Sequence, residues 1–560
     1  MRPPRLLAFL LSLFSLPLAA GELVLQAPPE ITQLLAPYLP EEGGNPRRVQ
    51  ENLGEILATE GYFNPQFSWA DQADGTQQLQ IDPGPRTLIG EVDLAVDGPL
   101  AAKTRDALIA GWRLPVGQPF RQEDWNSAKQ QILAELLADE YADAQLADSS
   151  ATIDAEKHSA RLRLRYVSGP AYRYGPVRVE GLSLHEASLI DRYNHVIRPD
   201  APYRESELAN LQGVLRATPY FRSVRASLDK AAASEQPDGT RRAPVLIEVR
   251  ERSPQRLSLG AGASSNTGAR LEAAYQHIDF LDHSWELASG LRLEQKRQTA
   301  YADVLLPPDE RARRFSFGGV GEATDIQSLK TTRYALGAQS VQQRGSVEQR
   351  LSLQWEHEER EPLGASPVTS RALVPNIMWT WRQLDNALDP HQGIVLQTQI
   401  GGGSRAALSD QNFVRLHGRV QFYLPLGHRD TLSLRAEGGR TFADSRLHVP
   451  QDYLFRTGGS GSVRGYTYQS LGIKEGSATV GGRYLAVFSA EATHWLNESW
   501  GIAAFVDAGD AVDSLRDARL ALGYGLGARW KSPAGPLGVD LAYGERTGQL
   551  QLHFALAIPF

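Results

Sequence analysis

The residues with the clearest chemical potential lie in a glycine- and serine-rich block that leads to an arginine. The block reads FRTGGSGSVRGY over residues 455–466. Glycines let a backbone turn tightly and approach other groups closely. The guanidinium of Arg464 can offer five N–H donors to one acidic partner, and inside a fold such a group favours a bidentate pair with a carboxylate. The alternative is an arginine in an exposed turn.

Little else in the sequence supports catalysis or cofactor binding. The block superficially resembles the nucleophile elbow of serine hydrolases, but its glycine spacing differs and no helix follows. The other glycine-rich stretches open no helix, which argues against a phosphate-binding loop. The twelve histidines form no metal-binding motif, and the chain has no cysteine. We therefore expect no enzymatic activity, cofactor or metal, and the net charge of -7 argues against nucleic acid as a partner.

Residues 255–560 show the period-two alternation of β-strands. Leu257–Ala263 and Leu351–Glu356 alternate in this way, and turn-forming residues separate such stretches. A tilted membrane-spanning strand takes about 9–11 residues, so the region is long enough for about sixteen antiparallel strands. Outer-membrane barrels have even strand numbers and alternate lipid-facing with lumen-facing residues. We therefore predict an all-β transmembrane barrel over 255–560.

Two strands of this region carry further information. In Phe505-Val506-Asp507-Ala508-Gly509, Asp507 alternates with Phe505, and we expect the carboxylate to point away from the lipid. The stretch from Gln551 to Phe560 has one wholly apolar face. On a soluble edge strand such a face would favour aggregation, so it is typical of a strand that closes a membrane barrel.

Residues 21–250 contain a weak internal repeat. Its units close with a strand, as at Leu162–Val167 and Val245–Val249, and in two units acidic residues lie near a helix start, where the helix dipole favours them. We predict α+β units over 21–87, 88–170 and 171–250, each with the order strand, helix, helix, strand, strand. Three unrelated α+β modules are the alternative.

Residues 1–20 have the composition of a secretory signal peptide. Arg2 and Arg5 precede an apolar run over 6–16, and Ala19 and Ala20 follow it. We expect cleavage after Ala20. A membrane anchor is the alternative, although the apolar run is too short to span a bilayer.

Together these features resemble the BamA-type superfamily, whose members assemble or export proteins at the outer membrane. The resemblance rests on residues 455–466, on 505–509 and on a glycine-rich stretch over 523–537. It implies that a loop arginine, here Arg464, reaches the aspartate of a matching strand, here Asp507. The implied loop residues are Gly458, Gly459, Val463, Arg464, Gly465 and Tyr466, and the implied strand residues are Phe505, Asp507 and Gly509. The glycines of 523–537 would leave one strand face open for the loop to pack on.

The three α+β units resemble polypeptide-transport-associated (POTRA) domains, and three of them before a barrel are similar to the TamA family of outer-membrane subunits. This resemblance implies assembly and secretion of autotransporters and similar proteins in the outer membrane of a Gram-negative bacterium, with the POTRA domains in the periplasm. The implied partners are a TamB-like, inner-membrane-anchored periplasmic protein, nascent outer-membrane proteins and outer-membrane lipid. Two alternatives are an exporter that threads an unfolded partner through the lumen and a structural or lipid-transfer scaffold between the two membranes.

The first and last strands of such a barrel meet at a seam. We hypothesise that a short seam can open and offer unpaired backbone groups to an incoming strand. Glycines would weaken the first strand, and a proline without an N–H would weaken the last. The predicted seam residues are Leu257, Leu259, Gly260 and Gly262 on the first strand, and Leu556, Ile558, Pro559 and Phe560 on the last.

Overall fold

The computed structural model describes residues 23–40, 45–71, 77–427, 429–532 and 535–559. The expected signal peptide over 1–20 and Phe560 of the expected seam lie outside the described residues. The chain forms two compact units, and their boundary runs through the third α+β module. One unit comprises the described residues up to Arg178 with Val196–Leu211 and Ala226–Ile247; the other comprises Val179–His195, Gln212–Arg225 and the chain from Glu248 onward.

Three α+β modules precede the barrel, each with the order strand, helix, helix, strand, strand. The first contains β1 (Leu23–Gln26), α1 (Pro29–Leu35), α2 (Pro46–Thr59), β2 (Gln66–Asp71) and β3 (Gln77–Asp82), with sheet order β1-β3-β2. The second contains β4 (Leu88–Asp97), α3 (Ala102–Ala110), α4 (Gln122–Ala138), β5 (Gln145–Asp154) and β6 (Ser159–Val167), with sheet order β4-β6-β5. The third contains β7 (Tyr172–Glu180), α5 (Ser188–Tyr193), α6 (Glu205–Arg216), β8 (Phe221–Leu228), the short β9 (Ser234–Glu235) and β10 (Arg241–Glu251), with sheet order β7-β10-β8 and β9 on β10.

The helices of these modules follow from helix-terminal residues and from apolar spacing. Helix α2 begins after Asn45, whose side chain accepts a hydrogen bond from the backbone N–H of Arg47 at 3.0 Å. It buries Val49, Leu53 and Leu57, which are four residues apart and share one face. In the first two modules the opening and closing strands pair in parallel, which requires the long crossover that the two helices supply.

Sixteen antiparallel strands form a closed barrel, which confirms the predicted fold class and strand number. The strands are β11 (Gln255–Ser264), β12 (Gly268–Phe280), β13 (Trp285–Glu294), β14 (Arg297–Leu305), β15 (Arg313–Ile326), β16 (Leu329–Arg344), β17 (Val347–Pro362), β18 (Val368–Leu384), β19 (Gly393–Gly403), β20 (Phe413–Pro425), β21 (Asp430–Phe442), β24 (Tyr484–Trp495), β25 (Trp500–Val512), β26 (Ala521–Ser532), β27 (Gly535–Gly544) and β28 (Gln549–Pro559). A hairpin of β22 (Ile473–Glu475) and β23 (Ala478–Val480) lies in the connection from β21 to β24. No helix in the described part of the chain is both long and apolar enough to cross a membrane.

The seam between β11 and β28 is short. Five residue pairs join the two strands, from Gly260 opposite Pro559 to Ser264 opposite Ala555. By comparison, sixteen pairs join β16 to β17. Leu257 and Leu259 lie on β11, the first strand of the seam, before the five described pairs, so their part in the seam stays a prediction.

The third module contacts a turn of the barrel within the second unit. The hydroxyl of Tyr220 donates to the backbone oxygen of Ser284 at 2.8 Å, and Nδ1 of His185 lies 2.9 Å from Oγ of Ser284. Ser284 follows the end of β12, and its N–H donates to Asp279 at 2.8 Å. The turn over 183–185 therefore touches the barrel through one buried histidine.

Glu251, at the end of β10, holds that turn in place. Its carboxylate accepts the backbone N–H groups of Ser183, Leu184 and His185 at 2.8–2.9 Å, and the Ser183 hydroxyl at 2.6 Å. Burial alone would raise the pKa of the Glu251 carboxyl, but these hydrogen bonds together outweigh burial and the pKa is lowered. The stabilisation is thus present above the ordinary glutamate pKa of about 4.5 and is lost as the pH falls through the lowered value.

Substitution of Glu251 by Gln should loosen the turn at neutral pH. We expect amide hydrogen exchange over 182–193 to rise by roughly tenfold at pH 7, since an ionised acceptor is worth about 1.5–3 kcal/mol per bond and a neutral amide less. The difference from the unsubstituted chain should shrink below pH 4. Glu248→Gln, on the same strand with a half-exposed side chain, is the matched control. Equal exchange in both variants at pH 7 would contradict this role.

Candidate functional site: the inward loop and its anchors

The connection from β21 to β24, residues 443–483, is held in shape by backbone hydrogen bonds between its own residues. Phe455 and Gly482 exchange two backbone hydrogen bonds at 2.8 Å, and Thr457 and Leu471 exchange two at 2.9 and 3.0 Å. Gly458 has a φ of 102°, a backbone conformation that favours glycine. These pairings give the connection, called the inward loop below, a fixed shape that presents Arg464 to the barrel wall.

Arg464 is the centre of a buried charge cluster. Its Nε and Nη2 donate to the two oxygens of Asp507 at 2.7 and 3.0 Å, and its backbone N–H donates to Asp507 at 3.0 Å. Its Nη1 lies 2.6 Å from Glu491 and 3.2 Å from Asp540. The Asp507 side chain is fully buried and that of Arg464 is 7% exposed. Each charge is therefore compensated by direct partners rather than by water.

A second arginine completes the charge cluster. Arg529 on β26 donates to Glu491 at 2.8 Å and to Asp540 at 2.5 Å. Arg435 on β21 donates to the backbone oxygens of Gly461 and Ser462 at 2.8 Å each. Glu491, Arg529 and Arg435 were not among the residues predicted from the sequence. Their inward orientation could have been predicted, because each of these three charged residues lies between apolar or small residues that face outward on its strand.

Phe505 lies on the same inward face as Asp507. The Arg464 guanidinium carbon lies 3.4 Å from the centroid of its ring, a cation–π contact. Phe505 is buried while the intervening Val506 is 43% exposed. The prediction that Asp507 and Phe505 alternate, with their side chains on opposite faces of the strand, is therefore wrong. Residues two apart on a strand share a face.

The loop also packs against the glycine-rich strand β26 and its neighbour β27. A Cβ atom on Gly523 would lie 1.8 Å from the backbone oxygen of Arg464. Gly465 has a φ of 88°, and a Cβ there would lie 2.7 Å from the backbone of Tyr543. The Tyr466 hydroxyl donates to the oxygen of Leu522 at 2.9 Å. Close approach of the two backbones thus requires glycine on both sides.

The loop touches both sides of the seam. On one side, the N–H of Gly465 donates to Nε2 of His553 on β28 at 3.0 Å. On the other, Asn266 in the β11–β12 turn donates to Oγ of Ser460 at 3.0 Å. The inward loop and both sides of the seam are therefore in physical contact.

A second charge cluster anchors the outer part of the loop. Glu475 lies 3.1 Å from the buried Arg360 of β17 and 2.9 Å from Arg446. Both oxygens of Glu358 accept the backbone N–H of Gln451 at 3.0 Å. Sequence reasoning missed this cluster, because its members are isolated charges scattered over several strands and the loop.

No group of three or more His, Asp or Glu side chains in the described part of the chain is placed to hold a metal ion. Serine hydroxyls of the block, at Ser460 and Ser462, contact Asn266 and Gly458 rather than a histidine. The arrangement can clamp a loop, and it offers no nucleophile paired with a base.

Replacement of Arg464 should release the loop. Arg464→Ala would leave Asp507, Glu491 and Asp540 short of positive charge, so we expect a loss of about 3–5 kcal/mol in the stability of the docked loop. Arg464→Lys should lose less, because it retains the charge without the bidentate geometry. The measurement is the rate of trypsin cleavage within 443–483 in the folded barrel. Arg516→Ala, an exposed arginine in the next loop on the same side, serves as control; equal cleavage rates in both alanine variants would refute the clamp.

The barrel region matches a known protein family. Residues 255–560 match the Omp85 superfamily domain. A segment of 181 residues, 30% of the chain, is 29% identical to the outer membrane protein assembly factor BamA of Nitratidesulfovibrio vulgaris. The match spans only about a fifth, 22%, of that relative's length.

Solved structures give the fold. BamA from Haemophilus ducreyi lacking POTRA domains 1-3 superposes with a TM-score of 0.71 at 17% identity, covering 84% of this chain and 100% of that one. CdiB from Acinetobacter baumannii gives a TM-score of 0.47 at 13% identity, covering 95% and 98%. Because the superfamily match extends over more than half of its length, the chain belongs to the Omp85 superfamily.

Proposed function

We propose that the chain is an outer-membrane insertase or translocation subunit that assists assembly and secretion of autotransporters and similar proteins. Within the Omp85 superfamily we assign it to the TamA type, because three α+β modules, which we take as POTRA domains, precede one barrel. The barrel lies in the outer membrane of a Gram-negative bacterium and the modules lie in the periplasm. The partner that we propose is a TamB-like, inner-membrane-anchored periplasmic protein, and the substrates are nascent outer-membrane proteins.

The observation that carries the proposal is the short seam beneath the inward loop. In the described part of the chain, five residue pairs and the hydrogen bonds of Ser265 with Phe554 hold the two sides of the seam together. One of the five pairs involves Pro559, which cannot donate a ladder hydrogen bond. Separation of this seam costs few backbone hydrogen bonds. It exposes strand edges that can pair with an incoming strand by β-augmentation. Gly260 and Gly262 contribute no side-chain packing across this stretch.

The inward loop supports the same mechanism, because it links the two sides of the seam. Asn266 contacts the loop from the β11 side and His553 from the β28 side. Movement of β28 away from β11 must therefore strain or break one of these hydrogen bonds. Arg464 and Asp507 hold the loop to β25, which stays in place while the seam opens. The loop thus stays attached to β25 while the last strand, β28, moves relative to it.

A disulfide bond across the seam should block the proposed assembly activity. The chain has no cysteine, so the pair Ala263→Cys and Leu556→Cys, opposite each other in the register, would be its only thiols. The adjacent pair Gly262→Cys and Ala557→Cys provides the other hydrogen-bonding register, since one of two successive pairs has the closer Cα atoms. We expect surface display of an autotransporter to fall severalfold on oxidation and to recover with reductant.

The control is a disulfide between Ser340 and Leu351 positions, which are opposite each other on β16 and β17, far from the seam. Oxidation of that pair should leave display unchanged. Unchanged display with a fully oxidised seam would reject the gated mechanism. In that case, conductance that rises when the inward loop is removed would identify the threading exporter, and retained partner binding without such conductance would identify the scaffold.

A further inference from the structure

An arginine on the outer wall of the barrel has no carboxylate partner. Arg440 lies on the face of β21 opposite Leu416 and Tyr484, whereas the inward face of that strand carries Glu437 and Arg435. Its guanidinium carbon lies 4.0 Å from the Phe442 ring centroid and 5.2 Å from that of Tyr484. Within the described part of the chain, the guanidinium makes no ion pair and no hydrogen bond. Its five N–H donors therefore face outward.

The position of Arg440 along the barrel indicates which membrane leaflet it meets. β21 is the eleventh barrel strand, and in an antiparallel barrel it runs in the same direction as the first. β11 begins directly after the third module, so the end of β21 at Phe442 lies at the opposite rim. Under the placement proposed above, on which this inference rests, that rim is the outer-leaflet interface. A lipid-facing arginine is strongly unfavourable at mid-membrane and much less so at such an interface.

Three adjoining depressions run down the wall from this arginine. The one at the rim has a volume of about 650 Å³ and is lined by Ser404, Asn412, Arg440, Asp444 and Tyr484 among others. The next, of about 530 Å³, shares Arg440 and has Gly418 and Gly438 at its floor. The third, of about 400 Å³, is almost wholly apolar and is lined by side chains such as Phe422, Leu434 and Phe488. Polar groups therefore line the depression at the rim, and the third depression, farthest from the rim, is an apolar trough.

We propose that this wall binds lipid A, the phosphorylated and multiply acylated glucosamine disaccharide of the outer leaflet. Arg440 takes a phosphate through charge-assisted hydrogen bonds, while the Ser404 hydroxyl and the Asn412 amide lie where the sugar would sit. The acyl chains pass over Gly418 and Gly438 in the second depression and continue into the apolar trough below it. A Cβ on Gly438 would meet nothing nearer than 3.9 Å, so neighbouring side chains leave this passage open.

A second cation at the same rim provides a contrast. Lys330 lies on the outward face of β16, near the corresponding end of its strand pair, directly opposite Asp325 and Glu361. Two carboxylates therefore flank Lys330, whereas rings and aliphatic groups flank Arg440. Of these two cations, Arg440 is the one that lines the depressions described above and has no carboxylate directly opposite it on the neighbouring strands. Asp444 lines the rim depression and opposes a phosphate there, so its removal should act in the opposite direction to removal of Arg440.

The test is lipid binding to the purified full chain in detergent, measured by native mass spectrometry during titration with diphosphoryl lipid A or with phosphatidylglycerol. Arg440→Gln should weaken binding of lipid A about tenfold, and Asp444→Asn should strengthen it. Lys330→Gln should leave it unchanged. Gly438→Leu, which obstructs the second depression without requiring a special φ, should weaken binding while Arg440 is intact. Heat-modifiable migration in electrophoresis checks that each variant retains its barrel.

Equal affinity of Arg440→Gln and the unsubstituted chain would overturn the site. Equal affinity for phosphatidylglycerol would overturn the assignment of its occupant. Because the measurement needs no assembly activity, failure of the gated mechanism would leave its result unaffected. Unchanged surface display with a fully oxidised seam, together with intact lipid binding, would reject the gated mechanism of the proposed function and leave the lipid site standing.

Discussion

A guanidinium buried against three carboxylates is the constraint on which the arrangement inside the barrel depends. Removal of a charge from water is costly unless direct partners replace the solvent, so Arg464 requires Asp507, Glu491 and Asp540 together. These come from β25, β24 and β27, and Arg529 bridges two of them. The position of the loop, the register of four neighbouring strands and the placement of glycines on β26 are consequently coupled. A change in any one of these features should therefore alter the positions of the others.

Much of the fold could be predicted from the sequence, because it depends on properties that are local in the chain. Alternation of apolar and polar residues and the length of the region gave about sixteen strands, and the structure has sixteen. The motif around Arg464 indicated Asp507 only through resemblance, and the two are in contact; their functional importance stays a prediction. The boundaries of the three α+β units likewise stay predictions.

The remaining features depend on register and on long-range contacts, which the sequence does not display. The stagger of β28 against β11 is set by closure of the whole barrel, so the pairing of Gly260 with Pro559 could not be predicted from their own neighbourhoods. Glu491 lies between two alanines, and its position reveals its face without revealing Arg529 as its partner. Arg360 and Glu475 meet across 115 residues of sequence. The predicted face of Phe505 was wrong, although strand periodicity alone places Phe505 and Asp507 on the same face.

The two anchors of the inward loop act at different depths. Glu475 and Arg360 hold its outer part, while Arg464 holds its tip against β25. Release of the whole loop therefore requires charged contacts at both depths to break. A perturbation that reaches only one depth should leave the rest of the loop docked.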